Sequence, residues 1–401
     1  MPKACAFLKG WLWLWLCLGC LPAPAETFDS DFGDAAKTFK VDNSRLSEPS
    51  FKIQYDGHKF SGVKEPAAKA AAATAPAALW KPEWTFFGVG GPALSCVRAS
   101  GAAGLLAVAE NIGGKGSRVA FLDLASGQPC SVAALPGRLV DLLAFSPDGA
   151  ELFYCSRPQS GRPAELGVLD VAKAKEARTP TTLKFPAAAL ATDGRHVFVK
   201  PDPASDDKKL HAFDAKDLSS KPEQVPCDNL GGVLAVSADG AAVLVAGAAG
   251  AELVDALLLR KRGGFALPPG YVPDHVLAVP FEADAWLLSA KGRPAYLARG
   301  GKLTELTPFS GEAVGVNETA KALMVESGKN DTVLLFEYPS AKPLGEFAPS
   351  KTKPVTRRPA LLLCGQPSTG KHLVFDDFGN LATYWQAGKK WRKELLFKGV
   401  K

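Results

Sequence analysis

The sequence predicts an all-β fold built from a repeat of about 45 residues. The first mark of the repeat is an apolar run that ends in an Asp-Gly turn, with Asp148, Asp193 and Asp239 spaced 45 and 46 residues apart. A further step of 45 residues reaches Asp284. The second mark ends a later strand in the same register, as Phe121-Leu-Asp-Leu124, Val168-Leu-Asp-Val171, Ala212-Phe-Asp-Ala215 and Leu335-Phe-Glu-Tyr338. All-strand units of this length are typical of the blades of a β-propeller.

The predicted propeller extends from residue 92 to residue 401, which is 310 residues or close to seven units of 45. We therefore expect a seven-bladed β-propeller of four-stranded blades with an N-terminal extension. Alternating apolar residues between Gly, Pro and Asp indicate strands throughout. In the second unit the four strands are expected at residues 142–145, 151–155, 166–171 and 182–185.

The N-terminal extension has three predicted parts. Residues 1–25 have a basic start, a short apolar core and the small residues Ala23-Pro-Ala25, which is the pattern of a secretory signal peptide. Residues 26–64 are polar with one hairpin around Asp56-Gly57, and residues 65–91 are an Ala/Pro-rich linker. An alternative is a lipid anchor at Cys20, because Leu18-Gly19-Cys20 resembles a bacterial lipobox, although Cys17 replaces the usual Leu or Val.

Export to the periplasm, the cell surface or the extracellular space follows from the signal peptide, and no later segment is long and apolar enough to span a membrane. The formal net charge of +6 is small, and the basic residues are dispersed along the chain. This pattern predicts a solvated surface of mixed charge, without a nucleic-acid partner.

The two repeated phrases resemble those of known propeller families. Phe121-Leu-Asp-Leu-Ala-Ser-Gly127 and Phe145-Ser-Pro-Asp-Gly149 are similar to the strand-and-turn phrases of WD-repeat and YVTN-type propellers. The chain departs from true WD repeats because it lacks the Trp-Asp dipeptide, so the polar network of that family is not carried over. The resemblance implies the fold and a tendency to bind proteins, and it implies no reaction.

One motif suggests nucleotide binding. Gly365-Gln-Pro-Ser-Thr-Gly-Lys371 matches the first seven positions of a P-loop, but His372 stands where the motif needs Ser or Thr for magnesium. The segment after it has the pattern of a strand, whereas a P-loop opens a helix. We therefore predict a turn between strands here, and no cofactor.

The cysteines and histidines form no recognisable site. After the predicted signal peptide no C-x-x-C spacing occurs, and the histidines show no H-E-x-x-H spacing, so no metal site is expected. Cys155 and Cys364 lie in apolar segments, which favours inert packing over catalysis. Cys96 and Cys364 fall in the innermost strands of the first and last blades, and a disulfide between them is a hypothesis.

Two functional classes remain open. The first is a non-enzymatic scaffold that binds a protein or a cell-envelope component. The second is a propeller enzyme or cofactor protein, similar to a lactonase or a quinoprotein, with its ligand over the central channel. For the scaffold, the long loops between the second and third strands and between blades suggest Arg157, Arg162 and Tyr271 as partner contacts, because Arg and Tyr dominate many interfaces.

Overall fold

The computed structural model describes residues 92–399, except 160, 228–231, 329–331, 350–359, 368 and 377, and four short strands before residue 92. The chain divides into two units, residues 1–74 and 75–401. In the first unit, β1 (Thr27–Phe28) pairs with β2 (Phe39–Lys40), and β3 (Phe51–Tyr55) pairs with β4 (Phe60–Lys64). The second pair is the predicted hairpin. The signal peptide, Cys20 and the linker 65–91 lie outside the described residues.

The second unit consists of antiparallel sheets that follow one another along the chain. Sheet 1 contains β5 (Pro92–Ser100), β6 (Leu105–Ile112), β7 (Gly116–Asp123) and β8 (Pro129–Pro136). Sheet 2 contains β9 (Leu139–Phe145), β10 (Glu151–Arg157), β11 (Glu165–Asp170), β12 (Lys175–Glu176) and β13 (Thr181–Thr182). Sheet 3 contains β14 (Ala187–Thr192), β15 (His196–Pro201), β16 (Lys209–Asp214) and β17 (Glu223–Pro226).

The remaining sheets have the same order. Sheet 4 contains β18 (Val233–Val236), β19 (Ala242–Gly247), β20 (Gly250–Asp255) and β21 (Arg260–Phe265). Sheet 5 contains β22 (His275–Ala278), β23 (Ala285–Ser289), β24 (Ala295–Arg299) and β25 (Lys302–Thr307). Sheet 6 contains β26 (Ser310–Asn317), β27 (Ala322–Ser327), β28 (Val333–Glu337) and β29 (Pro343–Phe347). Sheet 7 contains β30 (Ala360–Gly365), β31 (His372–Asp376), β32 (Leu381–Ala387) and β33 (Lys390–Phe397), and a short parallel pairing of β26 with β30 joins it to sheet 6.

The all-β prediction is confirmed. Within the described residues, the only helical segment is a 3₁₀ turn at Gly113–Lys115. No helix in this part of the chain is long and apolar enough to cross a membrane.

The predicted strands of sheet 2 agree with the structure except for the fourth. In place of one strand at 182–185, β12 and β13 each pair with β11 over two residues. Pro180 lies between them and cannot donate a backbone hydrogen bond. Two residues before it, Arg178 Nη1 donates at 2.8 Å to the carbonyl oxygen of Ala215, which directly follows β16 of sheet 3.

The Asp-Gly phrases form the turns between first and second strands. Ser146 Oγ donates to Asp148 Oδ1 at 2.6 Å, and the equivalent bond from Ser237 to Asp239 is also 2.6 Å. Gly149 has φ +72°, a conformation that side chains other than glycine rarely adopt. The repeat seen in the sequence is therefore a repeated turn, closed by a hydroxyl and a carboxylate.

The core lies between consecutive sheets. Each sheet is apolar on both faces, and hydrophobic clusters fill the space between one sheet and the next. A further cluster joins the last sheet to the first, with Leu106 and Leu122 of sheet 1 packed with Leu373 and Phe375 of sheet 7. Because the strands within each sheet are antiparallel, the described connections between them lie at two opposite ends of the strands.

Candidate binding surface

The connections at the two ends of the strands differ. At one end, which we call the turn face, lie the turns between first and second strands and between third and fourth strands. At the other end, the loop face, lie the connections between second and third strands and between sheets. Loops on a rigid β scaffold commonly contain binding residues, so the loop face is the first candidate.

Arg157 ends β10 on the loop face and is the most available of the predicted contacts. Its side chain is 52% exposed, and its Nε atom lies 3.5 Å from Asp141 Oδ2, which is a long ion pair. Partial burial raises the pKa of Asp141, although Arg157 and a hydrogen bond from Asn111 act in the opposite direction. Because the ion pair is long and both side chains are exposed, Asp141 holds Arg157 only loosely.

Arg162 has a structural role in the same loop. Its Nη1 atom donates to the carbonyl oxygens of Gly137 at 2.7 Å and Pro136 at 3.3 Å. The backbones of Gln159 and Arg162 also bond to each other, and Gln159 Nε2 donates to Gly137 at 3.2 Å. The loop is thus fastened to the connection between sheets 1 and 2, and Arg162 positions it.

A polar network that the sequence did not reveal supports this loop. Arg138 forms ion pairs with Glu165 and with Glu176, the latter at 3.2 Å. Tyr154 Oη donates to Glu176 Oε1 at 2.5 Å. Ser117 Oγ donates to the carbonyl oxygen of Arg138 at 2.8 Å. Arg138 lies in the connection between β8 and β9 and the others lie in separate strands, so only the fold brings these residues together.

Tyr271 requires a correction, because the structure places it in the core. Its side chain is 4% exposed and packs in the cluster between sheets 4 and 5. Its ring meets that of Tyr296 edge to face at 5.2 Å. Burial raises the pKa of the Tyr271 hydroxyl, which has no hydrogen-bond partner. The sequence signal of a Pro-Gly-Tyr turn did not show that the ring points inward.

The structure does not join Cys96 to Cys364. Both are free thiols, and they pack in different clusters: Cys96 between sheets 1 and 2, and Cys364 between sheets 7 and 1. Burial raises the pKa of each to about 12. Burial also raises the pKa of Cys155. These thiols are therefore protonated at neutral pH and poor nucleophiles.

The P-loop-like segment is a turn between β30 and β31, as predicted. The Gln366 amide donates to the carbonyl oxygen of Lys371 at 2.8 Å, and a strand follows in place of a helix. Asn317 Nδ2 donates to the carbonyl oxygen of Gly370 at 2.8 Å. Lys371 Nζ forms an ion pair with Glu394 at 2.9 Å and lies 4.1 Å from the centroid of the Trp385 ring. The Lys371 side chain thus points toward Glu394 and Trp385 of sheet 7 and not toward a phosphate site.

Two clefts lie on the turn face at equivalent positions between neighbouring sheets. The cleft between sheets 1 and 2 has a volume of about 630 Å³ and contains Cys130 and Glu151. The cleft between sheets 6 and 7 has about 370 Å³ and contains Trp385, Trp391 and Leu344. The second has the aromatic surface that apolar ligands prefer, and no sequence motif marked it.

Within the described residues, no group of three or more His, Cys, Asp or Glu side chains is arranged to hold a metal ion.

Comparison with known proteins identifies the fold alone. No protein-family model matches the chain, and no curated protein matches it. Among solved structures, the β-propeller domain of Cps50 (Swd1) from Myceliophteria thermophila is similar, with a TM-score of 0.56 and 12% identity, covering 71% of this chain and 93% of that one. Hydrazine synthase from Kuenenia stuttgartiensis has a TM-score of 0.57 and 13% identity, covering 75% and 97%. These similarities support a β-propeller fold.

Proposed function

We propose that this chain is an exported, non-enzymatic β-propeller of seven blades that binds a protein or another cell-envelope component on its loop face. Seven blades are supported by the order of sheets 1 to 7. The first strands of consecutive sheets contact one another, and β30 contacts β5. Export is supported by the pattern of residues 1–25.

The observation that carries the binding proposal is the state of Arg157. Its guanidinium is half exposed and loosely paired, while the loop beside it is fastened by Arg162 to the carbonyls of residues 136 and 137. A loop that is already fastened loses little backbone entropy when a residue beside it binds a partner. Arginine is also among the residues that dominate binding energy at interfaces. Arg157 is therefore the proposed contact, with Arg162 as its positioning residue.

The test is capture of a partner by the tagged chain in its native host, after reversible cross-linking. We expect Arg157→Ala to reduce the captured partner by about fivefold or more, as for a typical interface arginine. Arg299→Ala is the matched control. Its side chain is 49% exposed and paired with Glu282 at 2.6 Å, but it lies on the turn face.

Equal capture by wild type and Arg157→Ala would contradict the proposal, as would a loss confined to Arg299→Ala. The enzyme or cofactor alternative is tested on the same preparation. A stoichiometric metal ion, or an absorption band of a bound quinone, would favour that alternative over the scaffold.

A further inference from the structure

The turn between β20 and β21 exposes two adjacent leucines on the turn face. Leu257 is 63% exposed and Leu258 is 54% exposed. Asp255 Oδ1 accepts hydrogen bonds from their amides, at 3.1 Å and 2.7 Å, and the Asp255 carbonyl accepts one from Leu259 at 3.0 Å. The turn is therefore well defined, and its side chains are held outward in water.

The same turn occurs in other sheets without leucine. In sheet 1, Asp123 accepts from the Ser126 amide at 2.6 Å, and in sheet 2, Asp170 accepts from the Lys173 amide at 2.9 Å. In all three turns the next residue has a positive φ, +72° at Gly127, +50° at Ala174 and +49° at Leu259. The exposed pairs are Ala125-Ser126 and Ala172-Lys173. The backbone conformation of the turn therefore does not require leucine at positions 257 and 258.

Three cations follow the leucines on the edge strand of sheet 4. Arg260, Lys261 and Arg262 are all exposed. Arg260 is the cross-strand partner of Asp255, and Lys261 Nζ lies 3.8 Å from Glu252 Oε2. Glu252 therefore lies near one of these three cations, and Arg260 lies across the strand pair from Asp255, which caps the turn.

We infer that this turn docks the protein on an anionic lipid bilayer. Leu257 and Leu258 enter the boundary between headgroups and acyl chains, while the cations of β21 contact lipid phosphates. The exposed leucines at the tip of the turn suit the acyl-chain boundary of a membrane, and the basic residues beside them suit its anionic headgroups. The amides of both leucines are already bonded to Asp255, so the tip enters without an unsatisfied donor. This goes beyond the proposed function, whose partner binds on the opposite face.

The test is sedimentation of the full exported chain with vesicles of phosphatidylcholine alone or mixed with phosphatidylglycerol. Wild type should bind the mixed vesicles, and added salt should weaken the binding. Leu257→Ala with Leu258→Ser copies the tip of sheet 1, so the fold should be retained. We expect it to lower the partition coefficient by about tenfold or more, because two half-exposed leucines no longer enter the bilayer. Leu344→Ser, at an exposed leucine of β29, is the control and should bind like wild type.

A second pair of variants tests the charge. Arg260→Gln with Arg262→Gln should weaken binding to mixed vesicles by about fivefold per residue, as expected for cations near an anionic surface. Lys389→Gln with Lys390→Gln, an exposed pair at the last turn of sheet 7, should have a smaller effect.

No binding of wild type to mixed vesicles would overturn the inference, as would equal binding by the leucine variant. If the leucine variant instead loses a protein partner and keeps its vesicle binding, the turn is a protein contact and the lipid inference is wrong. Loss of partner capture in Arg157→Ala alone would leave this inference intact, so the two proposals fail separately.

Discussion

Gln366 Nε2 donates to the carbonyl oxygen of Ala125 at 2.7 Å and so connects sheet 7 to sheet 1, across 241 residues of chain. The side chain is buried, and Nε2 also lies 3.4 Å from the carbonyl oxygen of Leu124. The strands of sheets 1 and 7 each come from one continuous segment. Contact between the last and first sheets therefore depends on side chains such as Gln366 and not on an exchanged strand.

Gln366→Leu should lower the free energy of unfolding by about 1–3 kcal/mol, because the buried Gln366 side chain no longer donates to the carbonyl oxygens of Ala125 and the buried Leu124. The measurement is urea unfolding followed by circular dichroism. Gln386→Leu is the control, since Gln386 is exposed in the same sheet, and it should change stability by less than about 0.5 kcal/mol. Equal stability of the two variants would mean that the contact is not stabilising.

Tyr271 offers a test of its buried position. Tyr271→Ala should cost about 3–5 kcal/mol, because it leaves a cavity in the cluster between sheets 4 and 5. Tyr271→Phe should be neutral or slightly stabilising, because the hydroxyl has no hydrogen-bond partner. Thermal unfolding measures both. A melting temperature unchanged by Tyr271→Ala would instead place the ring at the surface.

His372 should make stability depend on pH. Burial lowers its pKa from 6.5 to about 4 in the folded chain, and Asn317 Nδ2 lies 3.0 Å from its Nδ1 atom, which accepts when neutral. The unfolded chain therefore binds the proton first as pH falls. The contribution of neutral His372 to the free energy of unfolding is about 3 kcal/mol and is fully present above pH 6.5. This contribution decreases as the pH falls from 6.5 to 4 and is lost below pH 4.

The measurement is urea unfolding at a series of pH values. His372→Gln should flatten the slope between pH 6.5 and 4 relative to wild type. His275→Gln, at an exposed position of β22, should keep the wild-type slope. Parallel slopes for wild type and His372→Gln would show that another group is responsible.

The thiols should differ in reactivity. Cys130 is exposed, whereas Cys155, Cys227 and Cys364 are covered or in apolar contacts and Cys96 has a pKa of about 12. A maleimide at neutral pH should therefore label Cys130 first, and the others only after denaturation. Mass mapping of peptides reads the result. If Cys96 and Cys364 both resist labelling in denaturant until a reductant is added, they form the disulfide that the structure lacks.

The repeat could be read from the sequence because its marks are local. An Asp-Gly turn needs a glycine with positive φ and a nearby carboxylate, so the same short phrase returns in each sheet, as at Asp148 and Asp239. The fourth strand of sheet 2 was less predictable, because its interruption involves Arg178 and a carbonyl of the next sheet.

The candidate site was only partly predictable. Composition and loop length suggested Arg157 and Arg162, and the structure places Arg157 at the end of β10 and Arg162 in the loop that follows it. The sequence did not show that Arg157 is loosely paired whereas Arg162 is held by two carbonyl oxygens. Those carbonyls belong to residues 136 and 137, which lie in another segment of the chain. The same reasoning misplaced Tyr271, whose burial depends on sheets 4 and 5 together.

The sequence by itself determined the all-β class and the repeated turns, because strand alternation and turn chemistry act over a few residues. Tertiary structure alone decided which side chains became available. The packing of sheet on sheet buried Tyr271, neutralised His372, separated Cys96 from Cys364 and left Leu257 and Leu258 in water. Burial and pairing depend on neighbours that are distant in the chain, and a single sequence does not specify where those neighbours lie.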